Sequence, residues 1–526
     1  MHHQRNDRLG HDHLVPHRPC LRLAQLPPDD RRPPRSFRPP RTPASHLVLG
    51  VHRFPHRFWR PLRHQPLFPQ LALNSVNSPR KYFGTDGIRG TFGRDPITPA
   101  FVWRCGRAAA EHFAARHASP LVILGRDTRA SGFVLEEALA SGLRAGGAMV
   151  RALGVLPTAA ISLATLRLQA AAGVMISASH NDACDNGIKF FGPDGFKLDD
   201  ATEILLERLI DATPAPKGTI EPRPGDFSAR TEAFDLYLDA LRATLPPGLR
   251  LEGMRLAVDA AHGSAWETTP QLLRELGAEV EAIGISPDGA NINAACGSLH
   301  PGVLAGRVRA RPGTIGICHD GDADRLIMID EDGTPLDGDE LMAIAATDAL
   351  RRQDLPNHTL VATVMSNLGL EEALAASGGR VERTPVGDRH VLQALRAGGH
   401  AIGGEQSGHI LFLRHFPSGD GLLAALQILR VTAETGVPLK ELKRVLRKYP
   451  QRLDALKVHE KRPLESLPAV QDAVRAVEAE MGPRGRVLLR YSGTEPKARL
   501  LLEYAEAAPL EAWSRRILQA LQAEAG

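Results

Sequence analysis

A unit that recurs along the chain constrains its fold most: a short apolar strand, a turn of small or hydroxyl residues, then a helical pattern. Leu121-Val-Ile-Leu-Gly-Arg-Asp-Thr-Arg129 is a buried strand and turn, followed by a helix from Ser131 to about Ala145. Met254-Arg-Leu-Ala-Val-Asp259 leads into Ala260-Ala-His-Gly-Ser and a helix near Thr268–Leu276, and Leu360-Val-Ala-Thr-Val-Met365 into Ser366-Asn-Leu-Gly and a helix to Ala376. Three such openings predict three α/β domains of similar plan. The same strand–turn–helix order is read around Ala148–Leu168 and again at Gly173-Val-Met-Ile-Ser-Ala-Ser-His-Asn181. After about Tyr449 the pattern becomes strand, helix, strand, strand, helix, which predicts a small α+β domain. With 526 residues the chain has room for three or four domains at roughly 100–200 residues each.

The ends of the composition exclude several classes. No apolar run reaches the ~20 residues that span a bilayer. Cys20, Cys105, Cys184, Cys296 and Cys318 are scattered with no paired spacing, which argues for a reducing, cytoplasmic compartment and against a zinc site. Net charge is +4, yet residues 1–76 hold 13 Arg and 4 Asp with no Lys or Glu, so the remainder carries −5. A mildly acidic body gives no electrostatic case for nucleic acid. The first 76 residues are Arg-, Pro- and His-rich without periodicity and lack the apolar core of a signal peptide. They are expected to be disordered, or to be GC-rich upstream DNA translated by mistake with Val76 as the true start. Clustered histidines leave a metal-binding tail as the lesser alternative.

Four stretches carry chemistry. The apolar run Val174–Ile176 delivers Ser177, Ser179 and His180 to a turn, with Lys189 following in Asp185-Asn-Gly-Ile-Lys-Phe-Phe191. Gly316-Ile-Cys-His-Asp-Gly-Asp-Ala-Asp-Arg325 sets Asp320, Asp322 and Asp324 at alternate positions between apolar strands. Carboxylates this close repel each other, and hard oxygen ligands suit Mg²⁺. An EF-hand would place Glu331 at its twelfth position, but Arg325 stands where its sharp turn needs Gly and strands flank the loop. Arg325 beside the acids suits a phosphate partner. Gly403-Gly-Glu-Gln-Ser-Gly-His409 offers Glu405 and Ser407 as acceptor and donor for sugar hydroxyls. Arg490-Tyr-Ser-Gly-Thr-Glu-Pro-Lys-Ala-Arg499, with Ser492, Gly493, Thr494 and two arginines, has the makings of an anion nest. The Gly-rich turn Lys81–Gly90 adds Asp86 and Arg89. Each stretch alone is also compatible with an ordinary polar or acidic turn.

Together and in this order, these residues resemble the α-D-phosphohexomutase superfamily from Arg80 to the C-terminus. The resemblance implies an α/β fold of three similar α/β domains plus a C-terminal α+β phosphate-binding domain around a central cleft. The boundaries expected are 80–236 with the phosphoserine loop, 237–332 with the metal loop, 333–449 with the sugar-binding loop and 450–526 with the phosphate-binding loop. It implies that Ser179 is carried as a phosphoserine and that Ser179, Asp320, Asp322 and Asp324 bind Mg²⁺. Arg89, Lys189 and Arg325 then supply positive charge, and His180 or Lys189 handles the sugar hydroxyl proton. Arg490, Ser492, Gly493, Thr494 and Arg499 hold the non-reacting phosphate.

Lys81–Gly90, Gly403–His409 and Val386-Gly-Asp-Arg389 look like the superfamily's glucosamine branch, which adds Gly387, Asp388 and Arg389 to the sugar contacts. That branch interconverts glucosamine 6-phosphate and glucosamine 1-phosphate through a hexosamine 1,6-bisphosphate, toward UDP-N-acetylglucosamine. Alternatives are a phosphomannomutase/phosphoglucomutase, a metal-dependent phosphatase and a sugar-phosphate sensor without turnover. Partners implied are small-molecule sugar phosphates, with neither nucleic acid nor membrane; a homo-oligomer and a kinase loading Ser179 stay open. Three departures stand out. Asp182 replaces a usual Pro, which is expected to loosen the turn behind Ser179. Ala323 replaces a usual Gly, costing roughly 1 kcal/mol if φ is positive there. His319 precedes the metal loop where an aromatic or small residue is usual.

Overall fold

The computed structural model describes residues 80–115, 117–216, 218, 228–492 and 496–525. The expectations for residues 1–76 and for Gly493 and Thr494 lie outside the described residues.

The first sheet contains β1 (Phe83–Gly84), β2 (Gly87–Thr91), β3 (Leu121–Arg126), β4 (Met149–Val155), β5 (Ala172–Ile176) and β6 (Asp185–Phe191), in spatial order β1-β2-β6-β5-β3-β4. The second contains β7 (Arg255–Asp259), β8 (Glu279–Ile283), β9 (Thr314–His319), β10 (Leu326–Ile329) and β11 (Pro335–Leu336), in order β11-β10-β9-β7-β8. The third contains β12 (Thr359–Thr363), β13 (Arg380–Thr384), β14 (Ile402–Gly404) and β15 (Ile410–Phe412), in order β13-β12-β14-β15. In each, a parallel centre is flanked by an antiparallel edge: β3 with β4 and β5, β7 with β8 and β9, β12 with β13 and β14. The last sheet, β16 (Gln451–Lys457), β17 (Gly485–Tyr491) and β18 (Lys497–Tyr504), is antiparallel and is backed by the helices Pro468–Met481 and Leu510–Ala525. Three α/β layers and one α+β layer match the architecture expected from the recurring unit.

The Gly173–Asn181 turn is a correction to that pattern. It opens into β6, antiparallel to β5, and not into a helix. The alternation of Ile188 and Phe190 on the face opposite Lys189 has strand period, and all three are buried. Parallel strands deliver their carboxyl ends to one edge, where open α/β sheets bind ligands. Here the ends of β5, β9 and β14 carry Ser179, Asp320 and Glu405.

One apolar core runs through the first three layers, from Leu153 and Ile161 past Tyr237 to Phe416 and Leu426. The fourth layer is tied on by polar contacts: Leu368 N–H donates to Glu503 Oε1 (2.8 Å), Arg486 Nη2 to the Ser366 carbonyl (2.6 Å), and Asn367 Nδ2 to the Tyr449 carbonyl (2.9 Å). Among the described residues no single helix is long and apolar enough to cross a membrane. The bent pair Gly421–Thr435 with Leu439–Val445 passes by length and composition only.

Helix Gly421–Thr435 begins directly beneath the metal loop. Gly421 N–H donates to the Ala323 carbonyl (2.9 Å), and a Cβ at Gly421 would lie 2.4 Å from the Arg325 carbonyl oxygen. Asp420 caps the helix through Leu422 N–H (2.8 Å) and Leu423 N–H (3.1 Å) and accepts from Tyr237 OH (2.9 Å). Burial pushes Asp420 up to about 6, against the pull of these hydrogen bonds. Its folded pKa therefore stands above its unfolded value, and its charged form disfavours folding as pH rises through about 6. Tyr237→Phe leaves that carboxylate short of a donor and is expected to lower stability by about 1–3 kcal/mol. In urea unfolding the loss should be larger at pH 8, where Asp420 is charged, than at pH 5.

Candidate active site

The β9–β10 hairpin is antiparallel and its connecting loop holds the acidic triad. Alternate residues point one way when the chain between them turns back, and Ala323 makes that turn at φ +61°. One oxygen from each of Asp320, Asp322 and Asp324 lies within 4.8 Å of the others, and all three residues are buried. Asp322 Oδ2 accepts from Thr158 Oγ1 (2.7 Å) and Lys189 Nζ (2.7 Å), and Asp324 Oδ2 from Lys189 Nζ (3.1 Å). Their Oδ1 atoms are buried and meet no hydrogen-bond partner among the described residues. Burial and the neighbouring Asp324 and Asp322 push Asp320 well above the usual carboxylate range. Orphaned hard oxygens in a site with unrelieved negative charge fit a divalent cation such as Mg²⁺.

Ser179 faces this loop. Its hydroxyl donates to Asp320 Oδ2 (2.5 Å) and stands 3.3 Å from His180 Nδ1. Ser179 itself has φ +54°, a left-handed conformation rare outside glycine. Lys189 is 1% exposed and spans Asp322, Asp324 and Asp86 Oδ2 (3.1 Å), so it sits behind the cleft as a counter-charge. Burial alone would lower Lys189, but those three carboxylates hold it well above its usual range. Burial lowers His180 to about 4, with Arg325 and Arg89 adding to the shift, so the ring is neutral near pH 7. Arg89 and Lys197 both pair with Asp86.

A cleft of about 410 Å³ opens over these groups. Its walls include Arg89 and His180 from the first layer, Asp324 and Arg325 from the second, and Gly387, Asp388, Glu405 and Ser407 from the third. Arg490 and Arg499 from the last sheet line it as well. Burial, with the proximity of Arg499 adding to it, lowers Arg490 below its usual range. Ser492 is buried beside this wall, its N–H donating to the Lys497 carbonyl (2.8 Å).

The departures resolve physically. Ala323 does occupy a positive-φ position, so its methyl costs about 1 kcal/mol. The ring of His319 is buried between Thr269 Oγ1 (Nε2, 3.0 Å) and the Arg325 carbonyl (Nδ1, 3.3 Å). Burial lowers that ring to about 4. Asp182 does not leave its turn loose, because the turn's carbonyls are held by the buried Arg129. Sequence reasoning marked Asp86 without giving it a role and did not assign Thr158, Arg129, Asn293 or His409 as site residues; all five stand at or behind the site. Two signals were available. His409 closes the Gly403–His409 motif, and Arg129 ends a strand whose turn packs three charges, Arg126, Asp127 and Arg129, against an apolar run.

This fold and site define a phosphohexomutase. Four domain profiles described as phosphoglucomutase/phosphomannomutase match in order: domain I over residues 80–216, domain II over 235–333, domain III over 337–449 and the C-terminal domain over 453–520. The chain belongs to the phosphoglucomutase/phosphomannomutase family. It is 45% identical over 446 residues to the phosphoglucosamine mutase of Sorangium cellulosum, covering 84% of this chain and 92% of that protein. It is 48% identical over 430 residues to the phosphoglucosamine mutase of Nitratidesulfovibrio vulgaris, covering 81% and 94%. A crystal structure of a phosphoglucomutase/phosphomannomutase family protein from Burkholderia thailandensis superposes with a TM-score of 0.69 at 25% identity, covering 84% of this chain and 97% of that one.

One expected sugar contact faces elsewhere. Arg389 is 7% exposed and turns away from the cleft toward helix Asp200–Ala212, where Nη2 donates to Glu203 Oε1 (2.6 Å) and Nη1 pairs with Asp200. Its neighbour Asp388 pairs with Lys197, the residue that also holds Asp86. Adjacent opposite charges thus engage opposite charges on the first layer, a clasp that fixes the Gly387 turn. Gly387 N–H in turn donates to Glu405 Oε1 (3.0 Å). The physical reason is that a buried guanidinium needs a carboxylate partner, and Glu203 and Asp200 supply it on the first layer. Arg389→Met is expected to lower stability by about 3 kcal/mol, read by denaturant unfolding. A direct sugar contact would instead leave stability unchanged and raise KM.

Proposed function

We propose that this chain interconverts glucosamine 6-phosphate and glucosamine 1-phosphate through a phosphoserine at Ser179 and a glucosamine 1,6-bisphosphate intermediate, in the cytoplasm, supplying UDP-N-acetylglucosamine synthesis. The observation that carries the reading is the Ser179 hydroxyl 2.5 Å from Asp320, at the triad's edge, beside a cleft lined by its neighbour His180, by Asp324 of the triad and by Arg490 and Arg499. The names of the relatives at 45% and 48% identity support the choice of sugar. The free cysteines Cys105, Cys184, Cys296 and Cys318 suit a reducing compartment. We divide the chain at 80–236, 237–332, 333–449 and 450–526, although β11 (Pro335–Leu336) pairs into the second sheet and helix Ser228–Arg242 crosses the first boundary.

Asp320, Asp322, Asp324 and the phosphorylated Ser179 would hold Mg²⁺, which when bound supplies charge neutralisation to the phosphoryl oxygens. Phosphoryl transfer asks mostly for positioning and charge balance. Arg89 and Arg325 flank the phosphoryl group from the cleft walls, while Lys189, buried behind, balances the triad. The free hydroxyl of the sugar phosphate attacks phosphorus: the new P–O bond to the sugar forms, the P–Oγ bond of Ser179 breaks, and the hydroxyl proton leaves to His180. His180 holds this role by geometry, because it lines the cleft beside Ser179 whereas Lys189 is fully engaged. The bisphosphate then turns round, and its other phosphoryl group passes to Ser179 Oγ with the proton returned to the sugar oxygen. Arg490, Ser492, Gly493, Thr494 and Arg499 hold whichever phosphate is not reacting. Glu405 and Ser407, with Gly387 and Asp388, read the sugar hydroxyls and amine.

Intact-mass and phosphopeptide mapping should find phosphate on Ser179 after treatment with a hexose 1,6-bisphosphate, and that phosphate should be exchanged by glucosamine 6-phosphate. Ser179→Ala is expected to abolish both loading and isomerisation, and chelation to stop turnover until Mg²⁺ is restored. Release of inorganic phosphate without isomer would instead make the chain a phosphatase. Faster turnover of mannose or glucose phosphates in direct competition would move it to the phosphomannomutase/phosphoglucomutase reading.

A further inference from the structure

We propose that Arg129 is the positioning residue for Ser179, acting with Asn293 as a two-sided clamp on the carbonyl face of the phosphoserine turn. The inference rests on the reading that Ser179 exchanges a phosphoryl group. Arg129 is 0% exposed and is the bulkiest fully buried side chain among the described residues. A buried guanidinium is strongly unfavourable unless all its donors are satisfied, so where those donors go is informative. Only Nε meets a carboxylate, Asp127 Oδ2 (2.9 Å). The remaining donors all go to one turn: Nη2 to the carbonyls of Ser179 (3.0 Å) and Asn181 (2.7 Å), Nη1 to those of Asp185 (3.0 Å) and Asp182.

From the second layer, Asn293 Nδ2 reaches the same Ser179 and Asn181 carbonyls, both at 2.9 Å. The amide side of Ser179 is fixed as well. Its N–H donates to Ser177 Oγ (2.8 Å), and Ser177 Oγ donates to Asp127 Oδ2 (2.6 Å), the oxygen that Arg129 also holds. Both backbone polar groups of Ser179 are therefore tied, directly or through one hydroxyl, to the Arg129–Asp127 pair.

Such over-determination is what a strained residue needs. Ser179 sits at φ +54°, a conformation costing on the order of 1–3 kcal/mol that persists only where the surroundings enforce it. The turn also abuts the metal loop, since a Cβ at Gly321 would lie 2.6 Å from the Ser179 carbonyl oxygen. A shift of the turn thus moves the hydroxyl relative to Asp320. The rigid planar fork of arginine can serve several carbonyls at once, whereas a lysine at the same place keeps the charge as a point without the fork.

The test compares wild type, Arg129→Lys and Asn293→Ala. Each is treated with glucose 1,6-bisphosphate, the time course of phosphate on Ser179 is followed by intact mass, and kcat, KM and melting temperature are recorded for glucosamine 6-phosphate. Arg129→Lys is expected to load roughly 100-fold more slowly, with kcat falling in step. KM should stay near wild type, because the sugar and phosphate contacts lie on the other layers. Asn293→Ala, which removes no charge but places alanine at φ +59°, is expected to melt a few degrees below wild type, to remain folded, and to load about tenfold more slowly. Should Arg129→Lys fail to fold, Asn293→Ala decides alone. Loading by Asn293→Ala at the wild-type rate, or a defect confined to KM, overturns the clamp. A wild type that cannot be loaded at all overturns the phosphoserine reading itself, a result distinct from slow loading in the variants.

Discussion

The structure depends on an electrostatic conflict. Three carboxylates are buried in one hairpin loop with two of their oxygens unpartnered, in a medium where like charges repel far more strongly than in water. The loop cannot hold them by itself. Thr158 and Lys189 come from the first layer to Asp322, Lys189 reaches on to Asp324 and Asp86, and the N-terminus of helix Gly421–Thr435 comes from the third layer to the backbone at Ala323. The layers thus meet where the charge is, and the triad is as much an organising point of the fold as a site upon it.

The same logic extends outward. Lys197 satisfies Asp86 and Asp388 together, and Arg389 satisfies Glu203 and Asp200, so the cleft is closed by ion pairs that run between layers. Side chains a sequence reader would assign to substrate are in part spent on each other. What remains lining the cleft includes four arginines, Arg89, Arg325, Arg490 and Arg499, from the first, second and fourth layers. Guanidinium groups around a polar wall suit a phosphorylated sugar, since a phosphate needs charge compensation wherever it sits.

Much of this was legible in the sequence because it is local. The alternation Asp320, Asp322, Asp324 between apolar runs, the apolar delivery of Ser179 and the paired arginines at residues 490 and 499 are short-range patterns, and the recurring strand–turn–helix unit named the layers. The same locality explains the misreadings. The segment after Ser179 was read as another turn before a helix because small and hydroxyl residues open either element, and the pairing of β6 with β5 is decided across the sheet. Arg389 looked like a sugar contact because it sits in the Val386–Arg389 motif, whereas the helix turns its side chain to a partner 186 residues away.

The sequence by itself indicated the inventory: the layer plan, the turn that carries Ser179 and the hard-oxygen triad. Those follow from periodicity, residue chemistry and spacing over a few residues. The tertiary structure decided which charges meet. It made Lys189 a counter-charge and not a cleft base, turned Arg129 from one more basic residue at a strand end into the support of Ser179, and set Asp86 between two lysines and an arginine. Burial and pairing depend on the three-dimensional arrangement of groups far apart in the chain, and a buried charge takes its meaning from its partner.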